Sequence, residues 1–411
     1  MNNEFQISYI ANTECLACGT TDLRTILDLS DQPLANNYHT NLGTDSSQTK
    51  YPLKLNVCSQ CQHLQLSHTV NPDLMFKHYL YVSGTTNTLK EYFLKFAKKT
   101  IEYAPNAKTV LDIASNDATQ LDMFKTLGLD TYGIDPAENL YKAASDKGHK
   151  IICDYFNTST VNKLNNRYDI ITAQNVFAHN RYTVDFLTAC KQIMHDDSVL
   201  FIQTSQANMV LNNEFDTIYH EHLSFFNTKS MKALVERCGL VLSDVFKPDI
   251  HGTSYVFVIT KNNIIKSNSV QEMIDFESES GLYDMLKYPD YALKCYQTAF
   301  TLKNVIGSYK DNGYYVIGYG AAAKGMTLLN FANITLDYII DDNPLKQNLY
   351  TPGMNIPIYG PDKLLELTET DKVLFVPLAW NFFEEIKKRI KSKRDINSDS
   401  FIKYFPNIEI N

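Results

Sequence analysis

The chain has 411 residues, 44% of them hydrophobic and 20% charged, with a formal net charge of −8. That length exceeds a single core and fits two or three domains of an ordinary globular protein. With 38 Lys and Arg against 46 Asp and Glu, the chain lacks the basic surplus of a general nucleic-acid binder. No apolar run approaches the roughly 18 residues of a membrane span. The start, Met1-Asn-Asn-Glu-Phe-Gln6, has neither the basic nor the apolar part of a signal peptide, so the expected location is the cytoplasm.

Residues 1–70 read as an irregular segment with short apolar pieces such as Tyr51-Pro-Leu-Lys-Leu-Asn-Val57. A core this small needs a staple. Four of the eight cysteines supply one, as the pairs Cys15/Cys18 and Cys58/Cys61. Each Cys-x-x-Cys turn offers two thiolates, and two turns close a tetrahedral zinc site with no open position, which makes it structural. His63 and His68 are the competing ligands, and four unliganded thiols are the alternative. Cys153, Cys190, Cys238 and Cys295 are scattered singly, which fits a reducing compartment rather than a disulfide framework.

A helix is expected from about Leu89 to Glu102. Strand-like runs then follow at Thr109–Ile113, Thr131–Ile134, Lys150–Cys153, Tyr168–Thr172, Ser198–Gln203 and Tyr255–Ile259, mostly with helical runs between them. Such alternation predicts a parallel, doubly wound sheet. Two helices over 270–310 lead to a second, smaller α/β unit, which opens with Tyr314–Gly320 and continues with strands at Leu336–Ile340 and Val373–Pro377 and a helix over about 382–391. The expected fold class is therefore α/β. Its parts are a zinc-binding domain at 1–70, a doubly wound domain at 71–262, and a helical connection with a Rossmann-like domain at 263–411.

The loop Asp112-Ile-Ala-Ser-Asn-Asp117 follows the first of these strands and precedes a helix. Small residues there let the backbone approach a nucleoside cofactor. Ala114 and Ala118 stand where glycines are common in S-adenosylmethionine enzymes. Asp112, Ala114, Ser115, Asn116 and Asp117 are the cofactor candidates of the loop. Asp135 ends the second strand, 23 positions after Asp112, where a carboxylate holds ribose hydroxyls. Asp154 follows the third strand and Asn175 the fourth, and both are cofactor candidates. A nicotinamide-binding unit, or an α/β fold without ligand, are the competing readings. Gly318-Tyr-Gly-Ala-Ala-Ala323 fits the Gly-x-Gly-x-x-Ala dinucleotide fingerprint, with Asp341 downstream and Lys324 suited to an anionic group.

Beyond the fifth strand, Tyr219-His-Glu-His222 packs two histidines, a carboxylate and a tyrosine together. A histidine accepts a proton near neutral pH and an adjacent carboxylate orients it. Tyr219 can donate to a developing oxyanion, and His179 follows the fourth strand on the side of the same crevice. By itself a His-Glu-His run is equally a surface loop or part of a metal site.

Taken in order, Cys15/Cys18 with Cys58/Cys61, Gln32-Pro-Leu-Ala-Asn36, Tyr79-Leu-Tyr-Val-Ser-Gly84, Ser115-Asn-Asp117, Asn175-Val-Phe-Ala-His179, Tyr219-His-Glu-His222, His251-Gly252 and Gly318–Gly325 resemble the sugar C-methyltransferases. Pro352-Gly353 and Ile356-Pro-Ile358 extend the match toward the C-terminus. Those enzymes add a methyl branch to nucleotide-linked 4-keto deoxysugars. The resemblance implies a zinc-binding N-terminal piece, a central S-adenosylmethionine domain, and a C-terminal Rossmann-like domain that binds no NAD. It implies His222 as the base, with Tyr219, Glu221, His179 and Tyr81 around the sugar and Tyr79, His251 and Lys324 binding substrate. Ala114, Ala118 and Thr253 depart from the family pattern. The expected partner is a nucleotide-linked sugar, and the expected state a monomer or small homo-oligomer. An O- or N-methyltransferase, an NAD-dependent oxidoreductase and a non-catalytic scaffold are the alternative functions.

Overall fold

A computed structural model describes residues 8–40, 49–76, 87–248 and 254–411. Tyr79, Tyr81 and His251 lie outside the described residues. The chain forms two compact units: Met1–Arg24 with Asn56–Asn208 and Glu221–Tyr283, and Thr25–Leu55 with Met209–His220 and Asp284–Asn411. Among the described residues no helix is long and apolar enough to cross a membrane.

The centre of the first unit is a seven-stranded sheet. Its strands are β1 (Thr109–Ile113), β2 (Asp130–Asp135), β3 (Lys150–Cys153), β4 (Tyr168–Gln174), β5 (Met194–Thr204), β6 (Val241–Phe246) and β7 (Tyr255–Thr260), in the order β6-β7-β5-β4-β1-β2-β3. The first five strands pair in parallel. Val110, Leu111, Ile170, Ile171, Phe201 and Ile202 are all buried, because helices cover both faces of the sheet. This is why the strands read as apolar runs rather than alternations. The sheet departs from the expected all-parallel form in one strand. β7 runs antiparallel to both β5 and β6. Only residues 247–254 join β6 to β7, too few for a crossover helix, so the chain turns straight back.

Helices α1 (Asn87–Tyr103), α2 (Thr119–Thr126), α3 (Glu138–Asp146), α4 (Thr183–Gln192) and α5 (Thr228–Arg237) flank the sheet. On α1, Phe96 meets Phe201 of β5 edge-on at 6.1 Å. Asn227 and Ser230 close a capping box at the start of α5. The first connecting helix, α6 (Ser269–Glu279), packs within this unit, since buried Glu277 accepts hydrogen bonds from Thr228 N and Oγ1 at 2.9 and 3.0 Å. The first unit accordingly runs on to Tyr283.

The N-terminal segment is not irregular. Strands occupy Tyr9–Ala11, Leu23–Pro33, Lys50–Cys58, Leu64–Leu66 and His68–Val70. In Lys50–Cys58 the inward residues are Tyr51, Leu53 and Leu55, a period of two that Pro52 and the charged neighbours obscure in the sequence. In the second unit, β8 (Tyr315–Tyr319), β9 (Tyr338–Ile340), β10 (Ile358–Tyr359), β11 (Val373–Pro377), β12 (Ser400–Lys403) and β13 (Glu409–Ile410) form a sheet ordered β10-β9-β8-β11-β12-β13. It is parallel except for its last strand. The long α7 (Tyr288–Asp311), α8 (Ala323–Ala332) and α9 (Phe383–Lys393) complete it. Gly325 of α8 packs so close to β11's exit that a Cβ would lie 2.6 Å from Leu378 Cβ.

Candidate functional site

The four paired cysteines form one cluster, with all sulfurs within 4.8 Å of one another. Cys15 Sγ lies 3.6 Å from Cys61 Sγ, and Cys18 Sγ 3.6 Å from Cys58 Sγ. A tetrahedral zinc ion with bonds of about 2.3 Å separates its sulfurs by about 3.8 Å, so the number, type and spacing of these donors fit zinc. The two turns are built alike. In each, the amide of the second cysteine lies 3.5 Å from the first sulfur. Each then ends in a left-handed residue, Gly19 or Gln62, whose N–H donates to the first cysteine's carbonyl. Hydrogen bonding among the thiols pushes Cys15 up to about 12 and holds Cys58 well below the usual thiol range, the pattern of one thiolate accepting from its neighbours. His63 is turned to Ser224 Oγ at 3.1 Å and His68 to Ser67 Oγ at 2.8 Å, so neither belongs to the cluster.

At the C-terminal edge of the main sheet lies a cavity of about 910 Å³. Asp112, Ala114, Ser115, Asn116, Asp135, Asn175 and His179 line it, all on the first unit. The β1–α2 loop is pinned to β2 by Ala114 N–H donating to Ile134 O at 2.8 Å. Ala114, Asn116 and Ala118 have φ of 61°, 51° and 63°, the left-handed conformation natural to glycine. The alanines therefore keep the glycine-like path of the loop. Gly133 on β2 leaves room for it, since a Cβ there would lie 2.6 Å from Ser115 Oγ. Asp135 accepts from Asn116 N–H and Ala137 N–H, both at 2.8 Å, and keeps lone pairs for a diol at the cavity wall. Burial pushes Asp112 up to about 7, with Gln120 and Thr172 donating to it at 2.8 and 2.7 Å. Ser115 Oγ is buried without a partner. These groups fit a nucleoside cofactor: backbone in close approach, a carboxylate for ribose and an unmet hydroxyl.

Two expected cofactor residues are not among those lining the cavity. Asp117 accepts from Thr119 N and Oγ1 at 3.2 and 2.8 Å, closing the turn into α2. Asp154 pairs with Lys163 Nζ at 2.6 Å. Sequence reasoning missed Tyr155 to Ser159, which follow Asp154 into the cavity wall; Gln174, at the end of the fourth strand, closes it beside Asn175.

The segment after the motif is strand-paired. Ser224 and Phe225 pair with Gln65 and Leu64, Leu66 N–H donates to Leu223 O at 2.9 Å, and Leu223 N–H donates to Ala178 O at 2.8 Å. This threading sets the His222 ring 5.2 Å from the ring of cavity-lining His179. Ser205 Oγ lies 3.4 Å from His222 Nδ1. Burial holds His179 down at about 4, so its imidazole is neutral at physiological pH. Glu221 is buried and Tyr219 half-buried, and the division between the two units passes between His220 and Glu221. Within the second unit, His220 is sealed, with Nε2 3.2 Å from Tyr51 O and Nδ1 buried without a partner.

In the second unit the glycine turn is occupied by its own side chains. Ala321 N–H donates to Asp341 Oδ2, and Ala321 O accepts from Lys346 Nζ and Tyr38 Oη, all at 2.6 Å. Lys324 sits 5.3 Å over the Trp380 ring. Burial raises buried Asp216 to about 6, opposed by Lys324 and by the 2.7 Å hydrogen bond from Trp380 Nε1.

Three family models match in order: a zinc binding domain at residues 15–76, a methyltransferase domain at 82–245, and a C-methyltransferase C-terminal domain at 249–406. The chain is 28% identical over 385 residues to C-methyltransferase NovU of Streptomyces niveus, covering 91% of each chain. Among solved structures, the plantazolicin methyltransferase BpumL with SAH is 15% identical, with a TM-score of 0.35 over 43% of this chain and 86% of that one. An S-adenosylmethionine-dependent methyltransferase from Clostridium acetobutylicum is 10% identical, with a TM-score of 0.34 over 43% and 92%.

Proposed function

We propose that this chain, a member of the S-adenosylmethionine-dependent C-methyltransferases, methylates C3 of a nucleotide-linked 4-keto-6-deoxysugar. A structural zinc at Cys15, Cys18, Cys58 and Cys61 and S-adenosylmethionine are its cofactors. Bound S-adenosylmethionine supplies a methyl group on positively charged sulfur.

In this reading His222 is the base. With Nδ1–H directed to Ser205 Oγ, Nε2 carries the lone pair that takes the C3 proton. The C3–H electron pair becomes a C3–C4 enolate, whose oxygen is held by an N–H of neutral His179 or the hydroxyl of Tyr219. The enolate's C3 would take the methyl group that the bound cofactor supplies, restoring the C4 ketone and leaving S-adenosylhomocysteine. Glu221 orients the base, and Asp135 and the Ala114–Asn116 backbone hold the cofactor.

The observation that carries this reading is the contrast within one motif. His220 is sealed between backbone and core, while half-buried His222 stands beside a cavity-lining histidine. The test uses 4-keto sugar nucleotides with labelled methyl donor. His222→Ala is expected to keep S-adenosylhomocysteine binding and lose about 10²–10⁴-fold in kcat. It should also lose exchange of the C3 hydrogen with solvent. Full turnover by that variant, or wild-type transfer to oxygen or nitrogen without C3 exchange, overturns the reading.

A further inference from the structure

We propose that the stretch Gln203–Asn208, at the C-terminal end of β5, is the wall that selects the acceptor sugar through its hydroxyl groups; the inference rests on the acceptor reading above. Eight buried side-chain nitrogen or oxygen atoms among the described residues have no hydrogen-bond partner, and four lie in this stretch: Gln203 Nε2, Thr204 Oγ1, Gln206 Oε1 and Asn208 Oδ1. Folded proteins leave few such groups, because each costs desolvation without return. Four within six residues therefore mark a place where something else supplies the partners.

The orphaned atoms are held in place. Gln203 Oε1 accepts from Tyr92 Oη at 2.5 Å, Gln206 Nε2 donates to Thr204 O at 2.9 Å, and Asn208 Nδ2 donates to Tyr255 Oη at 2.6 Å. With one end of each amide fixed, the other end cannot swing away to a partner elsewhere. Their position is equally specific. Gln203 pairs in register with Gln174, which lines the cofactor cavity, and Ser205, between Thr204 and Gln206 in the chain, lies 3.4 Å from His222 Nδ1. The stretch thus adjoins both the cofactor wall and the proposed base, between which a methyl acceptor has to lie.

Its chemistry narrows the ligand. The orphaned Gln206 and Asn208 oxygens only accept, Gln203 Nε2 only donates, and Thr204 Oγ1 does both. A phosphate or carboxylate brings acceptors alone and would face two carbonyl oxygens unfavourably. No charged side chain lies in Gln203–Asn208 to neutralise an ammonium. A sugar hydroxyl, which donates and accepts at once, matches every member. The wall thus reads a neutral, hydroxyl-bearing ring rather than the diphosphate or an amino sugar.

The test measures KM, kcat, S-adenosylhomocysteine affinity and melting temperature for Thr204→Val and Gln206→Met. Thr204→Val keeps the side chain's shape and removes only the orphaned hydroxyl, so it folds whatever Gln206→Met does. The expected result is KM for the sugar nucleotide raised about tenfold per lost hydrogen bond. Cofactor affinity stays unchanged, and substrate-free Thr204→Val melts above the wild type. A substrate analogue lacking the recognised hydroxyl should lose little further affinity in Thr204→Val. Transfer with KM unmoved in both variants, or a wild-type preference for amino-bearing over hydroxyl-bearing sugars, overturns this proposal alone. Wild-type binding of S-adenosylhomocysteine with transfer to no 4-keto sugar nucleotide overturns the acceptor reading and this proposal with it.

Discussion

His220 and His222 are two positions apart, yet one is buried and the other half-buried. Protonating His220 would create a buried Nδ1–H with no acceptor, so burial holds this residue down at about 4 from an ordinary 6.5. The unfolded chain takes up that proton near pH 6.5, and the folded chain refuses it until about 4. Stability from this site is therefore complete above pH 6.5 and falls as the pH drops toward 4, by up to about 1.4 kcal/mol per pH unit. His179 acts in the same direction. His220→Gln, which still donates to Tyr51 but does not titrate, should flatten the fall; urea unfolding between pH 7 and 4.5 checks it. A variant that loses stability across that window as steeply as the wild type would contradict the assignment.

At the scale of the element, the β1–α2 loop was recognised with alanine where glycine is usual, and its backbone is glycine-like at both positions. Ala114→Gly should relieve up to about 1 kcal/mol of left-handed strain, partly offset by the freer unfolded chain. S-adenosylhomocysteine affinity is expected to hold or rise. Gly133→Ala presses a methyl against Ser115 Oγ and Ile151 Cδ1, at 2.6 and 2.7 Å, and should weaken that affinity about tenfold through overpacking. Calorimetric titration reads both. The strand run from Thr109 to Gln203 was legible because strands buried on both faces are apolar throughout. The N-terminal strands were not, since Leu23–Pro33 carries Arg24, Asp28 and Asp31 among few inward residues. Asp154, at a strand end, and Asp117, in the loop, occupy the expected positions, and local sequence did not show that one pairs with Lys163 and the other with its own turn.

Across the molecule, the zinc cluster is connected to the proposed base by a short structural route. Cys58 and Cys61 are followed by the strand Leu64–Leu66, which pairs with Ser224–Phe225, two residues past His222. The cofactor cavity is built on the sheet edge instead. Removing zinc with a chelator should therefore lower the melting temperature and kcat strongly while S-adenosylhomocysteine affinity falls less. The purified protein should carry about one zinc per chain by atomic emission, and Cys58→Ser should reproduce the chelated behaviour. Equal losses in cofactor affinity and kcat would mean that zinc supports the whole unit rather than this route.

The chemistry of this protein is written in short spacings: Cys-x-x-Cys turns, a small-residue loop after a strand, an acidic residue at the next strand's end. Such features depend on neighbours a few residues away, so local sequence carries them, and their ordered spread along the chain carries the resemblance to C-methyltransferases. Long-range pairing decided the rest. It reversed β7, threaded the His222 segment between Leu64–Leu66 and the Phe177–His179 turn, and left Gln203–Asn208 with polar atoms unmet. A side chain's partners come from strands far away in sequence, and whether a histidine is sealed or open depends on them rather than on the four letters of its motif.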